Sequence, residues 1–388
     1  MSCPTVFSQI MALGHRETFS RCVERYSGDA YVKSFSCRDQ WLAMSFAQLT
    51  YRESLRDVES ALGARTGLLY QMGFRSPVLR STLADANERR DWRIYADWAQ
   101  TLIQRARRLY ADEPLGIDLE QSVYALDSTV IDLCLNLFPW AHFRSTKAAI
   151  KLHTLLDLRG SIPAFLALTE GSVHDVNILD SIPLEPGAVY VIDRAYVDFA
   201  RLAKLNQAGS FFVTRAKTNL DYYVSESRPV DETTGLRCDQ TIRLRGYQSK
   251  KDYPNGLRRV HFYDAKHDLH LVFLSNFFTP PPLVIADIYR ARWQIELFFK
   301  WIKQHLCIHS FMGTSSNAVR IQIWTAVATY LLVAILKKTV IMTPSLHEIL
   351  QVISVTPFEQ VPIKELFADC IPFIDTRNSS DDIPNLFS

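Results

Sequence analysis

At 388 residues, with 48% hydrophobic and 22% charged side chains and a formal net charge of +2, the chain has the composition of an ordinary folded soluble protein. Its length suits two or three structural units rather than one small core. Seven scattered cysteines, odd in number and without a C-x-x-C pair, exclude a disulfide framework and a zinc ribbon.

Residues 1–115 read as helical. Ser54 is a good N-cap for a helix that runs to Leu62 and ends at Gly63. A short segment from Thr66 to Met72 follows and stops at Gly73. Helix, glycine turn and short helix are compatible with a helix-turn-helix, as with any small helical pair. A longer helix is expected from Ser81. Its apolar stripe is Tyr95, Trp98, Ala99, Leu102, Ala106 and Leu109, with Arg93, Arg105 and Arg108 facing elsewhere. The opening residues lack a basic start followed by an apolar run, so no signal peptide is expected.

After Leu115 the texture changes. Val123–Ile131, Ala149–Leu158 and Ile162–Leu168 are β-rich runs with short joins, which predict an antiparallel meander. Val189–Asp193 and Ser210–Thr214 are short apolar strands on either side of a helix over Phe199–Gln207, and the whole predicts a mixed α/β sheet. From about Lys217 to Ser275 the pattern is wholly β, with Thr241–Tyr247, Arg259–Tyr263 and Leu269–Leu274 alternating and a turn at Asp252–Gly256. A helix around Tyr289 follows. Ile321–Leu336 is too short to span a bilayer comfortably and reads as a buried helix. Beyond Thr343 come one helix and a polar, proline-containing end at Asn378–Asp382. The expected organisation is a helical domain (1–115), an α/β core (116–216 with 276–342), a β-rich insertion (217–275) and a C-terminal helix and tail (343–388).

Charge is placed unevenly along this plan. Residues 1–115 carry sixteen lysines and arginines against thirteen acids, and Ala286–Lys338 carries seven against two. Basic stripes in a near-neutral chain suit a polyanionic partner held at particular surfaces. On a helix each residue advances about 100°, so Tyr289, Arg292, Glu296 and Lys303 share a narrow face with Lys300 beside them. One carboxylate among cations and a phenol suits a site where the acid holds a metal ion and the bases hold phosphates. The plainer alternative is an amphipathic helix with Arg292–Glu296 and Glu296–Lys300 as i,i+4 pairs.

Two further acids fit the first of these readings. Asp127 lies in the first strand and Asp193 at the carboxyl end of the fourth. If those strands are neighbours, Asp127, Asp193 and Glu296 converge as hard oxygen ligands suited to Mg2+ or Mn2+, which can drive an in-line phosphoryl displacement. Each aspartate taken alone reads more readily as a turn-former.

Tyr289-x2-Arg292-x3-Glu296-x6-Lys303 resembles the Y-x2-R-x3-E-x6-K signature of a large cut-and-paste branch of bacterial insertion-sequence DDE transposases. Leu126-Asp127-Ser128-Thr129 looks like the first acidic motif of that family. Val191-Ile192-Asp193-Arg194-Ala195-Tyr196-Val197-Asp198 looks like its second, and Phe212–Lys217 like the strand that follows. The resemblance covers roughly residues 120–340. It implies an RNase H-like mixed sheet with a β-rich insertion, preceded by an all-helical domain that binds DNA or acts as a scaffold. It implies Asp127, Asp193 and Glu296 as the catalytic, metal-binding triad for Mg2+ (Mn2+ substituting). Tyr289, Arg292, Lys300, Lys303 and Arg215 would be DNA-binding residues on the phosphates of the element end. The implied partners are double-stranded DNA, both terminal repeats and target, and a second copy of the chain in a homodimeric DNA complex. The implied place of work is the bacterial cytoplasm, at the nucleoid when bound to DNA.

One feature departs from the family. Some relatives stack a tryptophan of the insertion on a flipped base at a hairpin step, and here no Trp lies between Trp140 and Trp293. Tyr222, Tyr223, Tyr247 or Tyr253 could supply the stacking face instead. Two rival functions use the same residues: a non-catalytic DNA-binding derivative that regulates or inhibits, and a host nuclease on the same fold. His305-x3-His309 with Cys307 permits a zinc reading, although histidines also suit the C-terminal end of a helix. His174-Asp175 reads either as a cap, with Asp175 as N-cap, or as a histidine close to the active site. No G-x-x-x-x-G-K-[ST] motif occurs, so ATP is not implied, and no G-x-S-x-G motif occurs for a serine hydrolase. No membrane role is expected.

Overall fold

The computed structural model of the protein describes residues 3–144, 147–305 and 311–368. In chain order the helices α1 (Val6–Ala12), α2 (Arg16–Arg25), α3 (Cys37–Leu49), α4 (Leu55–Gly63), α5 (Arg80–Arg89) and α6 (Arg93–Leu109) come first. Strands β1 (Val123–Leu133), β2 (His142–Arg144), β3 (Lys147–Asp157), β4 (Ile162–Glu170) and β5 (Val189–Ile192) follow, then α7 (Phe199–Gln207) and β6 (Phe211–Arg215). Next are β7 (Tyr222–Arg228), β8 (Leu236–Leu244), α8 (Tyr247–Asp252), β9 (Leu257–Asp264) and β10 (Leu269–Ser275). The chain continues through α9 (Pro282–Ala291), α10 (Trp293–His305), α11 (Ser316–Val340), α12 (Leu346–Val355) and α13 (Ile363–Leu366). The tail expected at Asn378–Asp382 and the side chains of the His305–His309 zinc reading lie outside the described residues. Two compact units emerge. One holds the residues up to Tyr110, Ile131–Ile150 and those from Phe299 onward; the other holds Ala111–Val130 and Lys151–Phe298.

The first unit is built around α11, whose N-cap Ser315 accepts from the Ala318 amide. This helix is long and apolar enough to cross a membrane, but 94% of its apolar window is buried inside the protein. It packs on α3, α5, α6 and α12. The α6 stripe points inward through Tyr95, Trp98, Ala99, Leu102 and Ala106, while Leu109 stays exposed. Trp41 and Phe19 meet Trp98 edge-on at 6.1 and 5.5 Å, which adds aromatic-pair energy to the area buried.

Two local expectations change here. The helix expected from Ser81 is two helices. Arg90 is extended (ψ 141°), the Asp91 carboxylate accepts from the Arg93 amide at 2.9 Å, and Asn317 Nδ2 donates to the Asn87 and Arg90 carbonyls at 2.9 and 2.6 Å. Those side chains take over backbone groups that a continuous helix would pair internally. The second helix of the expected helix-turn-helix is only a three-residue 3-10 turn, Thr66–Leu68. Thr66 and Gly67 are poor helix formers, and Gly73, with φ 98°, turns the chain away.

The second unit is a mixed α/β layer. Among the described residues the strands form a ten-stranded sheet of order β2-β3-β1-β5-β6-β10-β9-β8-β7, with β4 on β3. The short β2 was not foreseen. Gly160 and Ser161 both take left-handed φ (74° and 55°) between β3 and β4, the geometry a tight hairpin turn demands. All four residues of β5 are buried, as an interior strand flanked by parallel neighbours requires. Asp198 caps α7 by accepting from the Arg201 amide. The segment expected to be wholly β contains α8, so Tyr247 opens a helix rather than closing a strand. One core of this unit gathers Tyr124, Leu126, Tyr190, Ile192, Phe212, Leu257 and Leu274.

Candidate active site

The position of the two aspartates follows from strand direction. β1 and β5 are parallel neighbours, with Leu126 opposite Ile192. The next residue on each strand is an aspartate, so Asp127 and Asp193 lie side by side where β5 ends. Parallel strands send their carboxyl ends to one edge, the usual place for a site in a sheet of this kind. β6 lies parallel on the other side of β5 with Thr214 opposite Ile192, which brings Arg215 level with Asp193.

Helix α9 brings the remaining groups. Arg258 on β9 is buried with Asp239 of β8 in a two-pronged ion pair (2.9 and 2.8 Å), and it donates to the Phe277 and Pro280 carbonyls at 3.1 and 2.7 Å. That clamp fixes the chain just before α9. Tyr289 packs on Phe273 of β10 (centroids 5.0 Å) and donates its hydroxyl to Asp193 Oδ1 at 3.3 Å. The helix expected as one piece from Tyr289 to Lys303 is interrupted at Arg292, which keeps helical dihedrals (φ −55°, ψ −29°). Its amide bonds to the Tyr289 carbonyl, and its carbonyl accepts from the Ile295 amide, both at 3.1 Å. These i→i+3 bonds tighten one turn without changing the helix direction grossly.

Arg292 is the centre of the cluster. It donates through Nη1 to Asp127 Oδ2 at 3.0 Å and through Nη2 to Glu296 Oε1 at 2.6 Å. Of the two i,i+4 pairs expected on this helix, Arg292–Glu296 is therefore present, with Asp127 sharing the arginine, while Glu296–Lys300 is not among the ion pairs of the described residues. The Arg292 side chain is only 9% exposed. Burial by itself would lower the Arg292 pKa, but Tyr289, Asp127, Glu296 and Asp193 more than offset that and hold its charge. Burial, joined by the charges of Asp193 and Glu296, raises the Asp127 carboxyl to about 6 against the opposing pull of Arg292 and the Ser128 amide. Burial also raises the Tyr289 phenol to about 12 against the opposing charges of Arg292 and Arg215.

Behind Asp127 lies a polar network that the sequence reading missed. The Ser128 amide donates to Asp127 Oδ1 at 2.8 Å and the Ser128 hydroxyl to Asp175 Oδ1 at 2.9 Å. Lys151 pairs with the same Asp175 oxygen at 3.2 Å. His153, fully buried, meets Thr169 Oγ1 at 2.8 Å, and burial lowers its pKa. Lys151 and His153 stand two apart on β3, hence on one face; two polar residues with that period in an apolar strand were the available signal. His174 is exposed and occupies the cap position without a side-chain bond, while Asp175 is the first residue of the following 3-10 turn. The cap reading of that pair therefore changes: Asp175 is not the N-cap, and its carboxylate joins the network.

The other expected residues are spread more widely. Lys300 and Lys303 are exposed on the part of α10 that belongs to the first unit. Of the four tyrosines weighed for base stacking, Tyr253 is buried and unable to stack, while Tyr223 and Tyr247 are exposed. Arg259 covers the Tyr222 ring at 5.5 Å and Arg245 the Tyr223 ring at 5.9 Å.

Three carboxylates on three elements are the donor set a hard divalent ion takes. As they stand, no three acidic, histidine or cysteine side chains among the described residues converge closely enough to hold one. Arg292 spans two of the three acids. The donor chemistry fits a divalent ion.

Residues 118–332 match the family described as Transposase DDE domain, and residues 2–75 match one described as Domain of unknown function (DUF4372). Over 257 residues the chain is 35% identical to a Sinorhizobium fredii protein named as transposase y4zB, covering 65% of this chain and 70% of that one. It is 32% identical over 232 residues to a Geobacillus stearothermophilus protein named as a transposase for insertion sequence element IS5377, covering 59% of this chain and 58% of that one. A Synechocystis protein named as a transposase for insertion sequence element IS4SA is 26% identical over 227 residues, 56% of this chain and 61% of that one.

Proposed function

This chain belongs to the Transposase DDE domain family, and from that premise we propose that it cuts DNA at the ends of an insertion sequence and joins the freed ends to target DNA. The observation that carries the reading is the placing of Asp127, within β1, beside Asp193 where the parallel neighbour β5 ends, with Glu296 tied to Asp127 through Arg292. Asp127, Asp193 and Glu296 would hold Mg2+ or Mn2+, which when bound activates the attacking oxygen and stabilises the leaving one in an in-line displacement. Arg215 and Tyr289 flank the acids and would position a phosphate beside them. Lys300 and Lys303 would neutralise the backbone further along the duplex. The spacing Tyr289-x2-Arg292-x3-Glu296-x6-Lys303 supports membership of the Y-x2-R-x3-E-x6-K cut-and-paste branch. In this reading residues 1–115 bind or frame DNA, 217–275 form an insertion in the core, and two copies act across paired ends on bacterial DNA.

The test is strand cleavage on a labelled duplex carrying an element end and its flank, in Mg2+ or Mn2+, comparing wild type with Asp193→Ala. Cutting at the junction by wild type, lost in the variant with end binding kept, is the expected result. Cutting that survives Asp193→Ala would remove this active site. Binding without cutting identifies a non-catalytic derivative, and cutting anywhere without joining identifies a nuclease on the same fold.

A further inference from the structure

We propose that Arg292 is an internal cation that closes the acidic site: it holds Asp127 and Glu296 together until a divalent ion takes those carboxylates and releases the guanidinium to a DNA phosphate. The inference rests on the enzyme reading above for the identity of the incoming groups. Its geometry rests on the ion pairs themselves.

Three observations point to exchange rather than to a permanent strut. An arginine that braces a carboxylate frequently presents its fork to one acid, two parallel bonds to one group. Here the fork is divided, one arm to a strand residue and one to a helix residue. Nη1 and Nη2 each spend one N–H on a different acid, so the fork is not offered whole to a single partner. The Arg292 Nε–H is buried without a hydrogen-bond partner, although buried donors of a settled network are nearly always satisfied. The cluster is also short of positive charge, since three carboxylates face the buried Arg292 with Arg215 as the other guanidinium beside them.

There is a route for the exchange. The Glu296 side chain is 43% exposed while that of Arg292 is 9% exposed, so an incoming ion meets Glu296 from solvent and Arg292 from behind. Arg292 also sits at the junction of α9 and α10, where i→i+3 bonds replace the regular ladder. Such junctions are places where a helix can rewind. Divalent-ion binding and phosphate binding by Arg292 then favour each other, because each leaves the other its partner.

The experiment is Mn2+ binding to the full chain without DNA, by calorimetry and by the EPR signal of free Mn2+, for wild type, Arg292→Gln and Arg292→Lys. Arg292→Gln is expected to bind Mn2+ about tenfold more tightly than wild type, because no resident cation competes for the acids. Adding Glu296→Gln to it should abolish the gain. Arg292→Lys keeps a charge but cannot span both acids and should fall between the two. Equal or weaker binding by Arg292→Gln overturns the inference. Should circular dichroism find that variant unfolded, Arg292→Lys decides alone, and affinity no tighter than wild type overturns it. A protein in which Arg292 competes with Mn2+ but which never cuts DNA keeps this inference and loses the enzyme reading.

Discussion

Asp127 is a carboxyl whose environment opposes its charge. Its pKa rises from 3.8 in the unfolded chain to about 6 in the fold, chiefly through burial. Between those values the native state holds a proton that the unfolded state has released, so stability falls as pH rises through that window and levels off above it. In metal-free buffer, urea unfolding should show this group contributing a decline of up to about 3 kcal/mol. Asp127→Asn should remove that part of the slope. A variant with the wild-type pH profile would assign the titration to another group. The neighbours explain why evolution could keep such a residue: Arg292 and the Ser128 amide both favour the ionised form, and a bound cation would favour it further.

At the scale of elements, the site depends on a clamp outside it. Asp239 and Arg258 are 4% and 3% exposed, and Arg258 ties β9 to the carbonyls that precede α9. Removing one partner leaves a buried charge unpaired, which typically costs about 3–5 kcal/mol. Asp239→Ala should therefore lower the unfolding free energy by about that amount in a chemical denaturation series, with the lost Arg228 pair adding to the effect. A loss below about 1 kcal/mol would mean water enters and solvates Arg258. Helix α9 shows the same dependence from the other side. Its sequence specifies a helix, but Tyr289 reaches Asp193 only because Phe273 and the clamp set where that helix lies.

For the molecule as a whole, a net charge of +2 conceals local surpluses that matter for a polyanion. Each phosphate neutralised releases counterions, so binding to DNA should weaken steeply with salt. If Lys300 and Lys303 each meet a phosphate, replacing both by alanine should reduce the magnitude of the log affinity–log salt slope by about two. Fluorescence anisotropy on a labelled duplex at several salt concentrations measures it. An unchanged slope would place the DNA elsewhere. The sheet order matters at this scale too, because a site at strand ends exists only if the right strands are adjacent.

How much of this was legible beforehand divides along a physical line. Local physics alone determined the helical opening, the α6 stripe, the position of α7, the apolar runs that lead into Asp127 and Asp193, and the helical spacing of Tyr289, Arg292 and Glu296. Periodicity, capping and propensity act within a few residues, and all are written in consecutive positions. Tertiary structure alone decided that β1 lies beside β5 and that Asn317 helps break the helix at Arg90 from 227 residues away. It also decided that Lys151, His153 and Asp175 close ranks behind Asp127, and that Arg292 reaches Asp127 across 165 positions. Electrostatic and hydrogen-bond energies depend on distances of a few ångströms, and between residues so far apart in the chain those distances are set only by packing.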